Sequence, residues 1–240
     1  MAEIITIKEN INIIKEKILN AEIKAGRKEN SVALMAVSKF HPSEAVIEAI
    51  NANQFLFGEN RVQEACGKFP EILEKYENAE LHLIGSLQRN KVKQILPIVS
   101  CIQSVDRIEL LQEIIKQKSK LDNGKTLKLL FEVHTGEESK SGFTDVGELE
   151  KALELAGENK NLGIQCAGFM TMAPFTEDKK LIQESFRKLA TLSENLKNQY
   201  RELPLKELSM GMSSDFEIAI EEGSTLVRVG TAIFGERQYV

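Results

Sequence analysis

Two hydrophobic rhythms divide the chain. Near its start, Ile4, Ile7, Ile11, Ile14 and Ile18 recur every three or four residues, which puts them on one face of a helix over residues 4 to 25. Gly26 stands where such a helix would end. Short apolar runs then take over: Val32–Ser38, Gln54–Phe57, Leu81–Gly85, Val99–Ser104, Thr126–Val133, Gly163–Met170, Glu207–Met210 and Thr225–Val229. They have the length of buried strands. Helical patterns begin between them, near Pro42, Asn60, Gln88, Asp106, Asp145, Glu177 and Ser213. Two of these are legible from periodicity alone. One aligns Val62, Cys66, Phe69, Leu73 and Tyr76; the other aligns Ile182, Phe186, Leu189, Leu192 and Leu196.

Strands alternating with helices after an N-terminal helix predict a (β/α)8 TIM barrel, compact beside the ~250 residues that are typical. The rival is a doubly wound open sheet, which usually carries a glycine-rich turn after its first strand. Here that strand runs into "SKFHP", which has no glycine. No linker-like stretch divides the molecule, and "LDNGK" is only a turn signal. The expectation is one domain over residues 1–240, with residues 1–26 as a helix packed on the barrel.

Composition narrows the class. The chain has 240 residues, of which 42% are hydrophobic, enough for a sizeable core. Its net charge of −5 gives no electrostatic footprint for nucleic acid or an anionic membrane. No apolar run approaches a membrane span, and "MAEIITIKENINIIKEKI" lacks the uninterrupted apolar centre of a signal peptide. Cys66, Cys101 and Cys166 are odd in number and far apart, and read as reduced thiols in a cytoplasmic protein. His41, His82 and His134 have no metal-ligand spacing, so no metal is expected.

Candidate chemistry concentrates at strand ends. Lys39 follows the first strand, where a barrel carries its functional groups. Its stem could simply lie along apolar surface with the amine in water. Partial burial would instead favour the neutral amine and make it a Schiff-base nucleophile. "SMGMSSD" and "VRVGTAIFG" follow the seventh and eighth strands, the region where barrels commonly bind phosphate. Ser213, Ser214 and Asp215 are helix-capping residue types. A helix start attracts an anion, and Gly230 and Thr231 offer backbone approach, N–H and hydroxyl. Each turn alone is ordinary turn chemistry; the pair at adjacent strands favours phosphate. Arg228 lies inside an apolar strand and needs a partner, either a carboxylate from another strand or a ligand ring nitrogen. A lysine for an aldehyde, an arginine for a ring nitrogen and a phosphate cradle together describe pyridoxal 5'-phosphate.

The segments "AVSKFHP", "FGENRVQEA", "LHLIGSLQRNK", "GFMTMAP", "LSMGMSSDFEIAIEEGST" and "VRVGTAIFGER" occur in this order. They resemble the pyridoxal phosphate homeostasis protein family (YggS/PROSC-like) along nearly the whole chain. That family is similar to the barrel domain of alanine racemase without the racemase's second domain. The resemblance implies that Lys39 is the Schiff-base lysine, that Asn60 lines the pocket, and that Ser213, Gly230 and Thr231 contact phosphate. It also implies that Arg228 faces the pyridine nitrogen and that His82 and Ile84 lie in the stretch beside the ring. Where the family usually has Val-Asn, this chain has Val133-His134 in "FEVHTGEESKSGF", so no role carries over to that position. Lys140, near Glu137 and Glu138, and Lys91, in "LQRNK", read as solvated charges, and the loop from Thr135 to Gly142 is left open between a cover for the cofactor and a mobile segment.

Three functions fit. The first is a non-catalytic carrier in vitamin B6 homeostasis, holding the cofactor as a reversible Schiff base and buffering it or delivering it to apo enzymes. The second is a pyridoxal-phosphate amino-acid racemase. The third is a cofactor-free Schiff-base aldolase, which would not require Arg228. An arginine keeps the ring nitrogen unprotonated, so the ring is a weaker electron sink. Tyr76 and Tyr200 sit in helical patterns and Tyr239 at the C-terminus, none in a loop suited to supply the second base of a racemase. These points favour the carrier, and the absent second domain favours a monomer.

Overall fold

The computed structural model describes residues 6–121, 124–136 and 141–236. The first helix, α1 (Ile7–Lys24), begins in a capping box. Thr6 Oγ1 accepts from the Glu9 N–H at 3.2 Å, and Glu9 Oε2 accepts from the Thr6 N–H at 2.8 Å. Ile11, Ile14 and Ile18 are buried, as their spacing requires; Ile4 lies outside the described residues. Gly26 takes a positive φ of 65° just past the helix, where a side chain would be strained.

Strands β1 (Ala33–Val37), β2 (Leu56–Glu59), β3 (Glu80–Leu83), β4 (Cys101–Val105), β5 (Leu127–Glu132), β6 (Ile164–Met170), β7 (Glu207–Ser209) and β8 (Leu226–Val229) are all parallel. They pair in sequence order, and β8 closes on β1. Helices α2 (Ser43–Asn51), α3 (Val62–Lys75), α4 (Val92–Ile95), α5 (Ile108–Lys118), α6 (Val146–Glu158), α7 (Lys179–Gln199), α8 (Phe216–Glu221) and α9 (Thr231–Phe234) complete the units. This is the expected TIM barrel with an additional N-terminal helix, and α1 packs against α2, α8 and α9. Among the described residues, no helix is long and apolar enough to cross a membrane.

Several boundaries differ from the sequence reading. The second strand begins at Leu56 rather than Gln54, because the Gln54 side chain closes the preceding turn by donating to the Leu34 and Leu56 carbonyls at 2.8 Å each. It continues to Glu59, a buried carboxylate inside a strand that an apolar pattern does not include. The helix expected from Gln88 opens as a 3-10 turn, Arg89–Lys91, before the four-residue α4. The helix expected from Ser213 starts at Phe216, after a turn.

Alternation along the strands sorts side chains into two layers. Leu81, Leu83, Ile102, Leu129, Phe131, Phe169, Val227 and Val229 join the large core between strands and helices. Cys101, Leu130, Ala167 and Met170 form a separate small cluster. His82, Gln103, Glu132, Ser209 and Arg228 are buried as well, so much of the inner layer is polar. Gly168, at φ 152°, lies at the β5–β6 register shift, where a Cβ would collide with the Glu207 carbonyl.

Candidate functional site

A cavity of about 340 Å³ opens at the C-terminal ends of the strands, within the usual size range of small-molecule sites. Its lining brings together all six expected residues: Lys39, Asn60, Ser213, Arg228, Gly230 and Thr231. Val37, Ile84, Met170, Met172, Met212 and Phe175 supply apolar walls, and His41 and Ser214 complete the rim.

Lys39 follows β1, and both of its neighbours are held by one buried ionic network. Ser38 Oγ donates to Glu59 Oε1 at 2.7 Å, and the Phe40 N–H donates to Glu64 Oε1 at 2.6 Å. Lys68 Nζ, reaching in from α3, donates to the Ser38 carbonyl at 2.9 Å, to Glu59 Oε1 at 2.7 Å and to Glu64 Oε1 at 3.0 Å. Phe40 adopts φ 66°, a strained conformation for a bulky residue that this network holds in place. Burial pushes the Glu59 carboxyl above its ordinary range, opposed chiefly by the charge of Lys68. His41, stacked on Phe234 with ring centroids 5.1 Å apart, is pushed down by burial and secondarily by Lys68. The sequence reading missed Glu59, Glu64, Lys68 and His41 as parts of this site. The one available signal was the helical i,i+4 spacing of Glu64 and Lys68.

Arg228 is 4% exposed. Nη1 donates to the Ser209 carbonyl at 2.8 Å and to Ser209 Oγ at 2.6 Å, and Nη2 donates to the Thr171 carbonyl at 2.8 Å. Its neighbours are therefore carbonyls and a hydroxyl rather than a hydrogen-bonded carboxylate. Burial pushes the guanidinium down to about 10, opposed by the charges of Asp215 and Glu132, so it stays cationic at neutral pH. Three of its five N–H groups find acceptors among the described residues, which leaves two for a ligand in the cavity it lines.

The two glycine turns, after β7 and β8, form the adjoining wall. Gly211 turns at φ 96°, and Asp215 Oδ1 accepts from the Met212 N–H at 2.5 Å, closing the loop that carries Ser213. The Asp215 side chain thus braces the turn and makes no side-chain cap bond to α8. Gly230 lies against β1: a Cβ there would stand 3.1 Å from the Val37 carbonyl oxygen. Its lack of a side chain brings the β8 loop, with Thr231, next to the strand that leads to Lys39.

Ile84 lines the cavity, but His82 does not: it sits deeper in the barrel, against Gln103. His134 lines a neighbouring crevice with Glu132, Thr135 and Thr171. Lys91 lies in the 3-10 turn, outside the cavity lining. Tyr76 and Tyr200 follow the ends of α3 and α7 and do not line the cavity either. Lys140 and Tyr239 lie outside the described residues, as does the 137–140 part of the Thr135–Gly142 loop. Among the described residues, no group of three His, Cys, Asp or Glu side chains could hold a metal ion.

The donor set suits a pyridoxal-phosphate-like ligand. It combines an amine, a guanidinium with two uncommitted donors, and two loops of small hydroxyl and glycine residues. Asn60 Oδ1 is buried with no hydrogen-bond partner among the described residues, an acceptor that a bound polar group would satisfy.

Comparison with known proteins agrees with this geometry. The sequence model of the alanine racemase N-terminal domain matches residues 6–238. The pyridoxal phosphate homeostasis protein of Aquifex aeolicus is 40% identical over 231 residues, covering 96% of this chain and 98% of its own length. That of Vibrio alginolyticus is 42% identical over 238 residues, covering 98% of this chain and 99% of its own. The structure of PipY from Synechococcus elongatus with PLP bound superimposes with a TM-score of 0.79 at 36% identity, covering 92% of this chain and all of that one. Alanine racemase from E. faecalis shares the fold, with a TM-score of 0.67 at 18% identity; the match covers 97% of this chain and 59% of the racemase. The chain belongs to the pyridoxal phosphate homeostasis protein family, within the wider group built on the alanine racemase N-terminal domain.

Proposed function

We propose that this protein binds pyridoxal phosphate at the barrel mouth and serves vitamin B6 homeostasis as a carrier that buffers the cofactor or delivers it to apo enzymes. The observation that carries the reading is the convergence of Lys39, Arg228 and the two glycine turns on one cavity. Bound pyridoxal phosphate supplies an electrophilic aldehyde that a lysine amine captures reversibly. Lys39 presents that amine, with its backbone held on both sides by the Glu59–Lys68–Glu64 network. Ser213, Gly230 and Thr231 hold the phosphate through hydroxyl and N–H donors. Arg228 donates to the ring nitrogen and, being cationic, leaves it without a proton, which restrains chemistry that draws electrons into the ring. Asn60 contributes its side-chain amide to the pocket wall.

A racemase would need a second base opposite Lys39. Among the described residues no tyrosine lines the cavity, and the titratable side chain beside Lys39 and Arg228 in its lining is His41, whose pKa burial lowers. We read residues 1–240 as one cofactor-binding barrel domain, monomeric and cytoplasmic. The test mixes cofactor-loaded protein with an apo pyridoxal-phosphate enzyme in the presence of a scavenger for free cofactor. Recovered activity that depends on Lys39 supports delivery. Robust amino-acid racemisation lost in both Lys39→Ala and His41→Ala would replace the carrier with an enzyme.

A further inference from the structure

The polar inner layer of the barrel contains a continuous chain of hydrogen bonds that starts at the cofactor arginine. Arg228 Nη1 donates to Ser209 Oγ at 2.6 Å, Ser209 Oγ donates to Gln103 Oε1 at 2.6 Å, and Gln103 Nε2 contacts His82 Nδ1 at 2.9 Å. Beyond the ring, His82 Nε2 faces Glu80 Oε2 at 3.8 Å, too far for a direct hydrogen bond but close enough for electrostatic attraction. Ser209, Gln103 and His82 are all buried, whereas Glu80 stands at the opening of β3, at the opposite end of the strands from the cavity. The chain therefore runs from the ligand site through the barrel to its far face.

Both ends fix the direction of every bond. A guanidinium has no acceptor, so Ser209 Oγ must receive from Arg228, and its single hydrogen must go elsewhere. Gln103 Oε1 is the acceptor for it, which turns the amide nitrogen toward His82 and makes Nδ1 the accepting ring atom. The ring hydrogen then sits on Nε2 and points at the Glu80 carboxylate. The reversed chain would leave the Ser209 hydrogen without its acceptor in a dry interior and turn the Nε2 lone pair toward a carboxylate. A cation at one end and an anion at the other favour the same polarity.

We propose that Ser209, Gln103 and His82 are positioning residues that lock the Arg228 guanidinium in place for the cofactor ring, and that His82 carries its hydrogen on Nε2. The positioning role rests on the pyridoxal phosphate reading above; the hydrogen placement does not. Nitrogen NMR of the full chain with labelled histidine reads the second point directly. Only three histidines contribute, and His82→Phe identifies the signal. In the neutral ring, an Nδ1 shift typical of an unprotonated nitrogen and an Nε2 shift typical of N–H are expected; the opposite pattern overturns the chain's polarity.

Cofactor titration reads the first point. Gln103→Leu removes the acceptor for Ser209 and should weaken pyridoxal phosphate binding about three- to tenfold, the value of one net hydrogen bond. Gln103→Glu keeps an acceptor toward Ser209 and should retain affinity while forcing a hydrogen onto Nδ1 of His82, a signature that loss of packing would not produce. Equal affinity in wild type and Gln103→Leu overturns the positioning role and leaves the carrier reading standing. Wild-type protein that takes up no pyridoxal phosphate overturns the carrier reading and the positioning role together, while the NMR result still decides the polarity. Should Gln103→Leu not fold, Ser209→Ala removes the same link and is read by the same titration.

Discussion

The buried network behind Lys39 makes a prediction with a calculable size. Lys68→Met removes the cation paired with Glu59, which has no solvent-exposed surface, and with Glu64, which is partly exposed. Glu64 can turn toward water; Glu59 cannot, and it responds by keeping a proton. Its ordinary carboxyl value is 4.5. Holding a proton at pH 7 that the unfolded chain has released costs about 1.36 kcal/mol per pH unit over two and a half units, or about 3.4 kcal/mol, an upper limit on the deficit because burial already raises Glu59 in the wild type. That falls within the ~3–5 kcal/mol typical of breaking a buried pair from one side. The sign follows from linkage. The variant's folded Glu59 has a raised value, so its contribution to stability is complete below 4.5 and is lost as pH rises through the folded value. Urea unfolding followed by circular dichroism should therefore show a deficit of up to about 3 kcal/mol at pH 7 that shrinks to about 1 kcal/mol or less at pH 5. Glu59→Gln in the same background should recover most of it. A deficit that is independent of pH, or below about 1 kcal/mol at pH 7, would refute the assignment of Glu59 as a carboxylate held ionised by Lys68.

Other outcomes follow from the same geometry. Ser213→Ala removes one charge-assisted hydrogen bond to phosphate and should raise the dissociation constant for pyridoxal phosphate about tenfold or more, read by titrating the apo protein, with the melting temperature little changed. Gly85→Ala places a Cβ against the Asn60 backbone, so it should lower stability and weaken cofactor binding together; a thermal melt and the same titration check it. A thiol reagent should reach Cys66 alone in the folded protein. Cys101 and Cys166 are buried, and burial pushes their thiols well above the ordinary range, in Cys166 up to about 12. Mass mapping after brief labelling tests this.

Much of the fold was legible because a parallel barrel repeats one signal: an apolar run, a turn, an amphipathic helix. Lys39, Arg228 and the two glycine turns were legible for a related reason. A lysine ending an apolar run and an arginine inside one violate local expectation, and such violations concentrate at functional sites. The supporting residues follow local rules, and beyond the i,i+4 spacing of Glu64 and Lys68 they gave no signal. Lys68 reads as an ordinary helix charge beside Glu64, and only the packing of α3 against β2 shows that its amine reaches the Ser38 carbonyl. Gln103 and Ser209 come from strands far apart in sequence and meet only when the barrel closes. The motif with His82 and Ile84 was expected to pass beside the ring; two residues apart, they share one face of the strand, and Ile84 reaches the cavity while His82 lies deeper, against Gln103.

The most direct test of the central claim, that Lys39 is the point of attachment for pyridoxal phosphate, is borohydride reduction of the cofactor-loaded protein followed by peptide mass mapping. The visible imine absorbance should bleach, and a single phosphopyridoxyl group should appear on the peptide containing Lys39 and be absent from Lys39→Ala. Labelling that falls on Lys140, or spreads evenly over several lysines, would contradict the account.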